Sequence, residues 1–411
     1  MVPRRILLAD ADAFFVNVAR QLDPDGAGRA ELLIVGGSSR SRGVVTSASY
    51  PVRRFGVRAG MPMSRAVRLC PDATVVPVPM RECSTRSREM RRVLERFAPV
   101  VVAASVDEFY LDLGGTEALH GNEPLEVTAA RIRAAVLAET ALPVSIGGGT
   151  TRLVAKMAAG VAKPGDGGSG VHIVPPGHEE EFMSTFRLGD IPGVGPRQQE
   201  RLASYGLHTV KDAARHSLAT LAAWFGPTEA AWLSDALRGI DDSVVQARAR
   251  PRSLGHEDTF PRDLHSDTEL ERELARIAGE VSADLREDGW RARTVTVKIK
   301  DADFKVRQAS RTLPSPVESD RAVSDVSREL LRRLRTQRRV GVRLLGVSVS
   351  GLVHATDQVQ SEQLAMFAPP TPALETERDR ALSRMIDGVR ARFGHDAISS
   401  AAATPVPRRK G

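Results

Sequence analysis

Two short apolar runs in this chain end on acids, and that pattern restricts the possible folds more than any other. Residues 6–15 read Ile-Leu-Leu-Ala-Asp-Ala-Asp-Ala-Phe-Phe, and residues 105–112 read Ser-Val-Asp-Glu-Phe-Tyr-Leu-Asp. Ile6 to Leu8 leads into Asp10, and Val100 to Ala104 leads into Asp107 and Glu108. A carboxylate at the end of a buried strand is costly unless a positive charge neutralises it. Three converging carboxylates demand a divalent cation, and hard oxygen ligands favour Mg²⁺, with Mn²⁺ able to substitute. A pair on one strand end plus a third from another strand suits two ions roughly 3.5–4 Å apart, the arrangement of phosphoryl transfer. Taken one segment at a time, solvated acids at strand ends explain the pattern equally well.

A length of 411 residues allows two to four domains, and an apolar fraction of 42% is enough for packed cores. The net charge of +7 and a pI near 9.8 point to an acidic partner. All but seven of the 58 basic residues are Arg. No apolar run reaches the length of a membrane span, and Met1-Val2-Pro3-Arg4-Arg5 lacks the apolar core of a signal peptide. Cys70 and Cys83, the only cysteines, cannot form a disulfide framework or a four-thiolate zinc site and read as ordinary thiols in a reducing cytoplasm.

Residues 5–10 read as a buried strand, followed by an insertion over 13–75 rich in Gly, Ser and Arg. The first domain resumes near Val75, turns at Asp107 and Glu108, and returns through Leu111 to Leu113. A helix is predicted over 125–140, a short strand over 144–146, a glycine-rich loop over 147–150, and a helix over 152–162. Lys156 and Lys163 stand seven apart there, two turns along one face. Mixed strands and helices on one sheet predict an α+β fold. Residues 171–240 hold short helical segments broken by Gly and Pro, and 241–250 read as a polar linker. Leu270, Leu274, Ile277, Val281 and Leu285 then recur at helical spacing, while Val295, Val297 and Ile299 alternate with Thr294, Thr296, Lys298 and Lys300. A strand over 304–312, a helix marked by Val323, Val326, Leu330 and Leu334, and a strand at Leu345, Val347 and Val349 complete a βαββαβ order with residues 252–260 as its first strand. Residues 356–411 read as a mostly flexible tail with one helix at 373–393.

Together the two acidic segments resemble the opening and signature motifs of Y-family DNA polymerases, in particular the DNA polymerase IV branch. Tyr50-Pro51-Val52-Arg53 with Phe55-Gly56-Val57 resembles the Tyr-x-x-Arg motif of the fingers, and Ala155-Lys156 with Ala162-Lys163-Pro164 the palm lysine segment. Ile191-Pro192-Gly193-Val194-Gly195 is similar to the thumb hairpin, and Pro251-Arg252-Ser253-Leu254-Gly255-His256-Glu257 to the start of the fourth domain. The resemblance covers residues 5–352 in family order.

It implies an α+β multidomain, right-hand polymerase: palm 1–12 and 76–170, fingers 13–75, helix-hairpin-helix thumb 171–241, linker 242–250, βαββαβ little finger 251–355 and tail 356–411. The implied activity is template-directed, translesion DNA synthesis from deoxynucleoside triphosphates on primer–template DNA, of low fidelity and without a proofreading domain. The implied protein is a monomer in the cytoplasm, associated with the nucleoid and not with a membrane. Asp10, Asp107, Glu108 and the carbonyl of Ala11 would hold two Mg²⁺ ions. Phe14, Phe15, Ser47, Tyr50, Arg53 and Lys163 would bind the nucleotide, with Phe15 as steric gate against a ribose 2′-hydroxyl; the role of Lys156 is open between structure and support of the primer side. Two glycines, Gly193 and Gly195, would let backbone N–H groups approach a phosphate. Arg252, Lys298, Lys300, Arg307 and Arg311 would track the DNA backbone.

In the tail, Gln363-Leu364-Ala365-Met366-Phe367 resembles the bacterial sliding-clamp motif, and Gln363, Leu364, Met366 and Phe367 would make the contact. Asp12 reads as the N-cap of a helix over 13–20. Thr85, the Gly147–Gly149 run and Arg152 depart from the family pattern. The competing function is a catalytically weak or inactive polymerase-like scaffold that binds DNA and clamp, which need not keep all three acids.

Overall fold

Every residue of β1 (Ile6–Ala11) is buried, because this run is the central strand of a sheet covered on both faces. The structure, a computed structural model, describes residues 3–39, 41–246, 250–354, 374–394 and 397–398. The chain divides into two units, Met1–Ala247 and Arg248–Gly411. In the first, β2 (Leu33–Gly36), β3 (Val45–Ala48) and β4 (Thr74–Val76) form a small sheet of order β3-β2-β4. β5 (Val100–Ala103), β6 (Glu108–Asp112), β7 (Val144–Gly149) and β8 (Val171–Ile173) join β1 in the order β5-β6-β1-β7-β8. Alternation along β1 sends Leu7 and Ala9 into a core with Phe14, Met90 and Ile132. Ile6 and Leu8 pack on the other face against Ala155 and Ala159 of the Arg152–Ala162 helix.

The glycines expected in a loop lie inside β7, all three buried. A Cβ on Gly147 would stand 1.9 Å from the backbone nitrogen of Ala159, so the helix can approach the sheet this closely only over glycine. Gly147→Ala is expected to destabilise the fold by about 3 kcal/mol, the upper range for overpacking a core. An unchanged denaturation midpoint would show that the helix does not rest on this strand.

Residues 179–237 supply five short helices around Leu202, Leu221 and Leu233. The chain that leaves them is not the free linker its polarity predicts. Asp241 accepts the Leu153 N–H at 3.1 Å and Thr151 donates to the Gly239 carbonyl at 2.9 Å. Val245 is buried with Ile6, Leu8 and Tyr110. One apolar residue among polar ones has no period to reveal it.

The second unit follows the predicted order: β9 (Ser253–Leu264), a helix Asp267–Glu287, β10 (Trp290–Asp301), β11 (Val306–Val317), a helix Asp320–Gln337 and β12 (Val342–His354). Its antiparallel sheet runs β11-β10-β12-β9, with both helices packed on one face. The predicted C-terminal helix is present at Glu377–Phe393, but this segment is not a loose tail. Glu375 accepts the N–H groups of Glu318 and Ser319 at 2.9 and 2.6 Å, and Arg286 reaches both oxygens of Asp387 at 2.7 and 2.9 Å. The helix docks by charge, so an apolar pattern could not announce it. Among the described residues no helix is long and apolar enough to cross a membrane.

Candidate active site

Strand pairing brings Asp10 and Glu108 side by side. Asp10 lies opposite Glu108 in the β1–β6 register, and the Ala11 N–H donates to the Asp107 carbonyl at 2.9 Å. Asp10 is almost fully buried, and that desolvation pushes its carboxyl up to about 6 although Lys163 pulls the other way. Lys163 Nζ donates to Asp10 at 2.8 Å; Lys156 Nζ donates to both oxygens of Glu108 at 2.8 and 2.7 Å. Ser105 donates to Asp107. Each acid therefore has its own partner, and among the described residues no three acid, histidine or cysteine side chains gather as a ready metal cluster. The donor set still fits a hard divalent cation: all ligands are oxygens, on adjoining strand ends, and one is a desolvated carboxylate that a positive charge would relieve. Lys163 stands one residue beyond the helix end at Ala162 rather than on the helix, and the two lysines reach different acids.

A cavity of about 700 Å³ opens beside Asp10 and Asp107, with Phe15, Ser47, Tyr50, Arg53 and Lys163 in its walls. Tyr50 and Arg53 share a short helix, and the guanidinium lies 4.6 Å from the Tyr50 ring centre. Arg53 Nε donates to the Ala48 carbonyl at 2.9 Å, which fixes the fork. Phe14 is buried in the core beneath and meets Phe15 edge-on at 5.4 Å.

Asp12 does not cap the helix. Ala13 takes the cap position with φ 44°, a left-handed turn that swings Asp12 inward. There Asp12 accepts from Ser145 at 2.8 Å and, at a long 3.4 Å, from Tyr50, and burial raises its pKa. Arg54, Arg58 and Gly165, which no sequence motif singles out, also line the cavity. A Cβ on Gly165 would stand 2.4 Å from the Tyr50 ring, a contact across the chain that no local spacing reveals. Of the departures, Thr85 turns back to the Arg81 carbonyl of its own helix at 3.1 Å, while Arg152 lies 4.4 Å from the Tyr110 ring centre.

In the hairpin turn Gly193 has φ 104°, a conformation that favours glycine, and Gly195 precedes the Pro196–Ala203 helix. In the second unit Arg252 is exposed ahead of β9. Lys298 and Lys300 sit on the strand face away from the helices, and Lys298 is paired with Glu257 at 2.9 Å. Arg307 and Arg311 lie on the other face of the sheet. They pair in register with the core residues Ile299 and Val295, so they point to the helical side, where Arg307 binds Asp301 at 2.9 Å and Arg311 binds Glu329. The open face of β11 carries Gln308, Ser310 and Thr312 instead, with Ser310 and Thr312 bonded to Thr296 and Thr294 at 2.9 and 3.0 Å. Gln363 to Phe367 lie outside the described residues.

Residues 9–160 match the impB/mucB/samB family, residues 251–366 the impB/mucB/samB family C-terminal domain, and residues 189–241 the thumb domain described as that of DNA polymerase-iota. The chain is 36% identical over 371 residues to a DNA polymerase IV of Alkalilimnicola ehrlichii, covering 89% of this chain and all of that one. It is 32% identical over 404 residues to a DNA polymerase IV of Dehalococcoides mccartyi, 97% of each. Among solved structures, a Y-family DNA polymerase chimera superposes with a TM-score of 0.75 at 24% identity, over 85% of this chain and 99% of that one. DinB from Sulfolobus solfataricus superposes with a TM-score of 0.56 at 24% identity, over 84% and 98%. At that identity the structural likeness speaks for the fold.

Proposed function

Because the chain belongs to the Y-family DNA polymerases, in their DNA polymerase IV branch, we propose that the cavity lined by Asp10 and Asp107 is where it joins a deoxynucleotide to a primer. It is a DNA-directed DNA polymerase of the translesion type. The observation that carries the assignment is the buried Asp10, opposite Glu108 and held by Lys163, in a cavity also lined by Tyr50 and Arg53. A cavity lined by both acids and cations suits a substrate that brings both a triphosphate and metal ions.

Asp10, Asp107, Glu108 and the Ala11 carbonyl would hold two Mg²⁺ ions, with Mn²⁺ able to replace them. Bound there, the ions would lower the pKa of the primer 3′-hydroxyl and neutralise charge on the departing pyrophosphate. Arg53 offers its planar fork to the phosphates. Lys163 adds a point charge, Ser47 and Tyr50 add hydroxyls, and Phe15, braced by Phe14, bounds the sugar. The Gly193–Gly195 turn and the open face carrying Lys298 and Lys300 would grip the primer–template, with Arg252 at its border.

The motif Gln363 to Phe367 would take the chain to a bacterial sliding clamp: Leu364, Met366 and Phe367 fill an apolar pocket and Gln363 orients them. A short segment binds weakly, but it raises the concentration of polymerase at the primer end. Primer extension with and without loaded clamp tests both parts. The parent should extend primers and gain processivity from the clamp; with Met366 and Phe367 replaced by Ala, clamp-free synthesis should persist and the gain disappear. A double variant stimulated like the parent would make the motif a coincidence of composition. A parent that binds DNA and clamp but extends nothing would be a scaffold.

A further inference from the structure

The turn between β10 and β11 holds a residue in a conformation it should avoid. Phe304 has φ 67°, the left-handed region that disfavours a bulky side chain, and the residue is 58% exposed. Both persist because the surroundings over-determine the turn. Asp301, fully buried, accepts two bonds from Arg307 at 2.9 and 3.0 Å and one from Arg338 at 3.0 Å. The Phe304 N–H donates to the Asp301 carbonyl at 2.9 Å, and the Ala302 N–H reaches the Gly341 carbonyl at 2.9 Å.

The ring gathers two cations. Lys300 Nζ lies 5.1 Å and the Arg343 guanidinium 4.7 Å from its centre. Arg343 is the residue skipped where the register of β12 shifts between Val342 and Leu344, a bulge that re-aims its side chain. Lys298, Arg307 and Arg311 each have a carboxylate partner, Glu257, Asp301 and Glu329 respectively. Lys300 and Arg343 have no carboxylate partner among the described residues. Two like charges held close without a counter-ion repel, and the negative face of the ring offsets that repulsion.

We propose that Phe304 is a positioning residue that holds Lys300 and Arg343 together as a two-cation contact for the DNA phosphodiester backbone. The contact rests on the polymerase reading and extends it to a point of grip at the tip of this hairpin. The strained backbone aims the ring between the cations, and the ring keeps them from spreading into solvent before DNA arrives.

The test uses the full chain and a fluorescent primer–template, titrated over a series of salt concentrations. Phe304→Leu keeps bulk at the turn but has no aromatic face; Phe304→Gly relieves the backbone. Each should weaken binding several-fold and make the log–log salt slope shallower by about 1 to 2, since one phosphate contact contributes about 0.9. Lys300→Gln with Arg343→Gln should give the same loss, and adding Phe304→Leu to that pair should cost nothing further. An unfolding midpoint of Phe304→Gly at or above the parent's excludes misfolding as the cause. The proposal is overturned if Phe304→Leu and Phe304→Gly bind with the parent's affinity and slope, or if Phe304→Leu adds its full loss to the Lys300, Arg343 double variant. A parent whose own binding is insensitive to salt would instead unseat the polymerase reading beneath it.

Discussion

Glu108→Ala and Asp107→Ala are expected to abolish primer extension while the protein stays folded and holds DNA. Neither acid is buried, and neither strand depends on its carboxylate, so stability should move by no more than about 0.5 kcal/mol. Catalysis should suffer far more. A metal clamp supplies several kcal/mol of transition-state stabilisation, and each 1.36 kcal/mol is tenfold in rate, so a loss of roughly a thousandfold or more follows. DNA affinity should hold or rise, because Glu108→Ala leaves Lys156 without its partner beside the phosphates. Single-turnover extension and DNA-binding titrations on the same preparations separate the two effects. Near-normal turnover in either variant would sink the two-metal assignment.

Phe15→Ala should raise the use of ribonucleotides relative to deoxynucleotides by one to two orders of magnitude, and Phe15→Leu by less. Exclusion of a 2′-hydroxyl by shape needs a ring that cannot retreat. Phe15 is held edge-on by the buried Phe14 at 5.4 Å and packs against both adjoining cores. Forcing a group into such a contact costs about 1–3 kcal/mol, which is about five- to more than a hundredfold in rate. The ratio of kcat/KM values for matched nucleotides is the measurement. Unchanged discrimination would mean that another residue is the gate.

What was legible in the sequence was what local pattern can carry. The runs ending at Asp10 and at Asp107–Glu108 meet because apolar strands with acid ends pair in one sheet, and alternation around Val295 to Ile299 marked the second unit. What failed depended on partners far along the chain. Arg307 and Arg311 alternate as outward residues would, but register with Val295 and Ile299 turns them inward. Asp12 has the chemistry of a cap, yet the left-handed Ala13 and the distant Ser145 draw it into the interior. Gly147 to Gly149 read as a loop because glycine is poor in strands, whereas a helix resting on them leaves no room for a side chain.

The stretch from Gly239 to Val245 decides where this protein can be recombined. Asp241 caps the helix that carries Lys156, and Val245 closes the surface over Tyr110. A crossover within 239–245 would therefore join two halves of different ancestry through the foundation of the lysine helix. One at the boundary between Ala247 and Arg248 would exchange the whole second unit with no seam in the first. The chain thus confines interchangeable ancestry to the unit that holds the βαββαβ sheet, and keeps the chemistry with the segment that braces it.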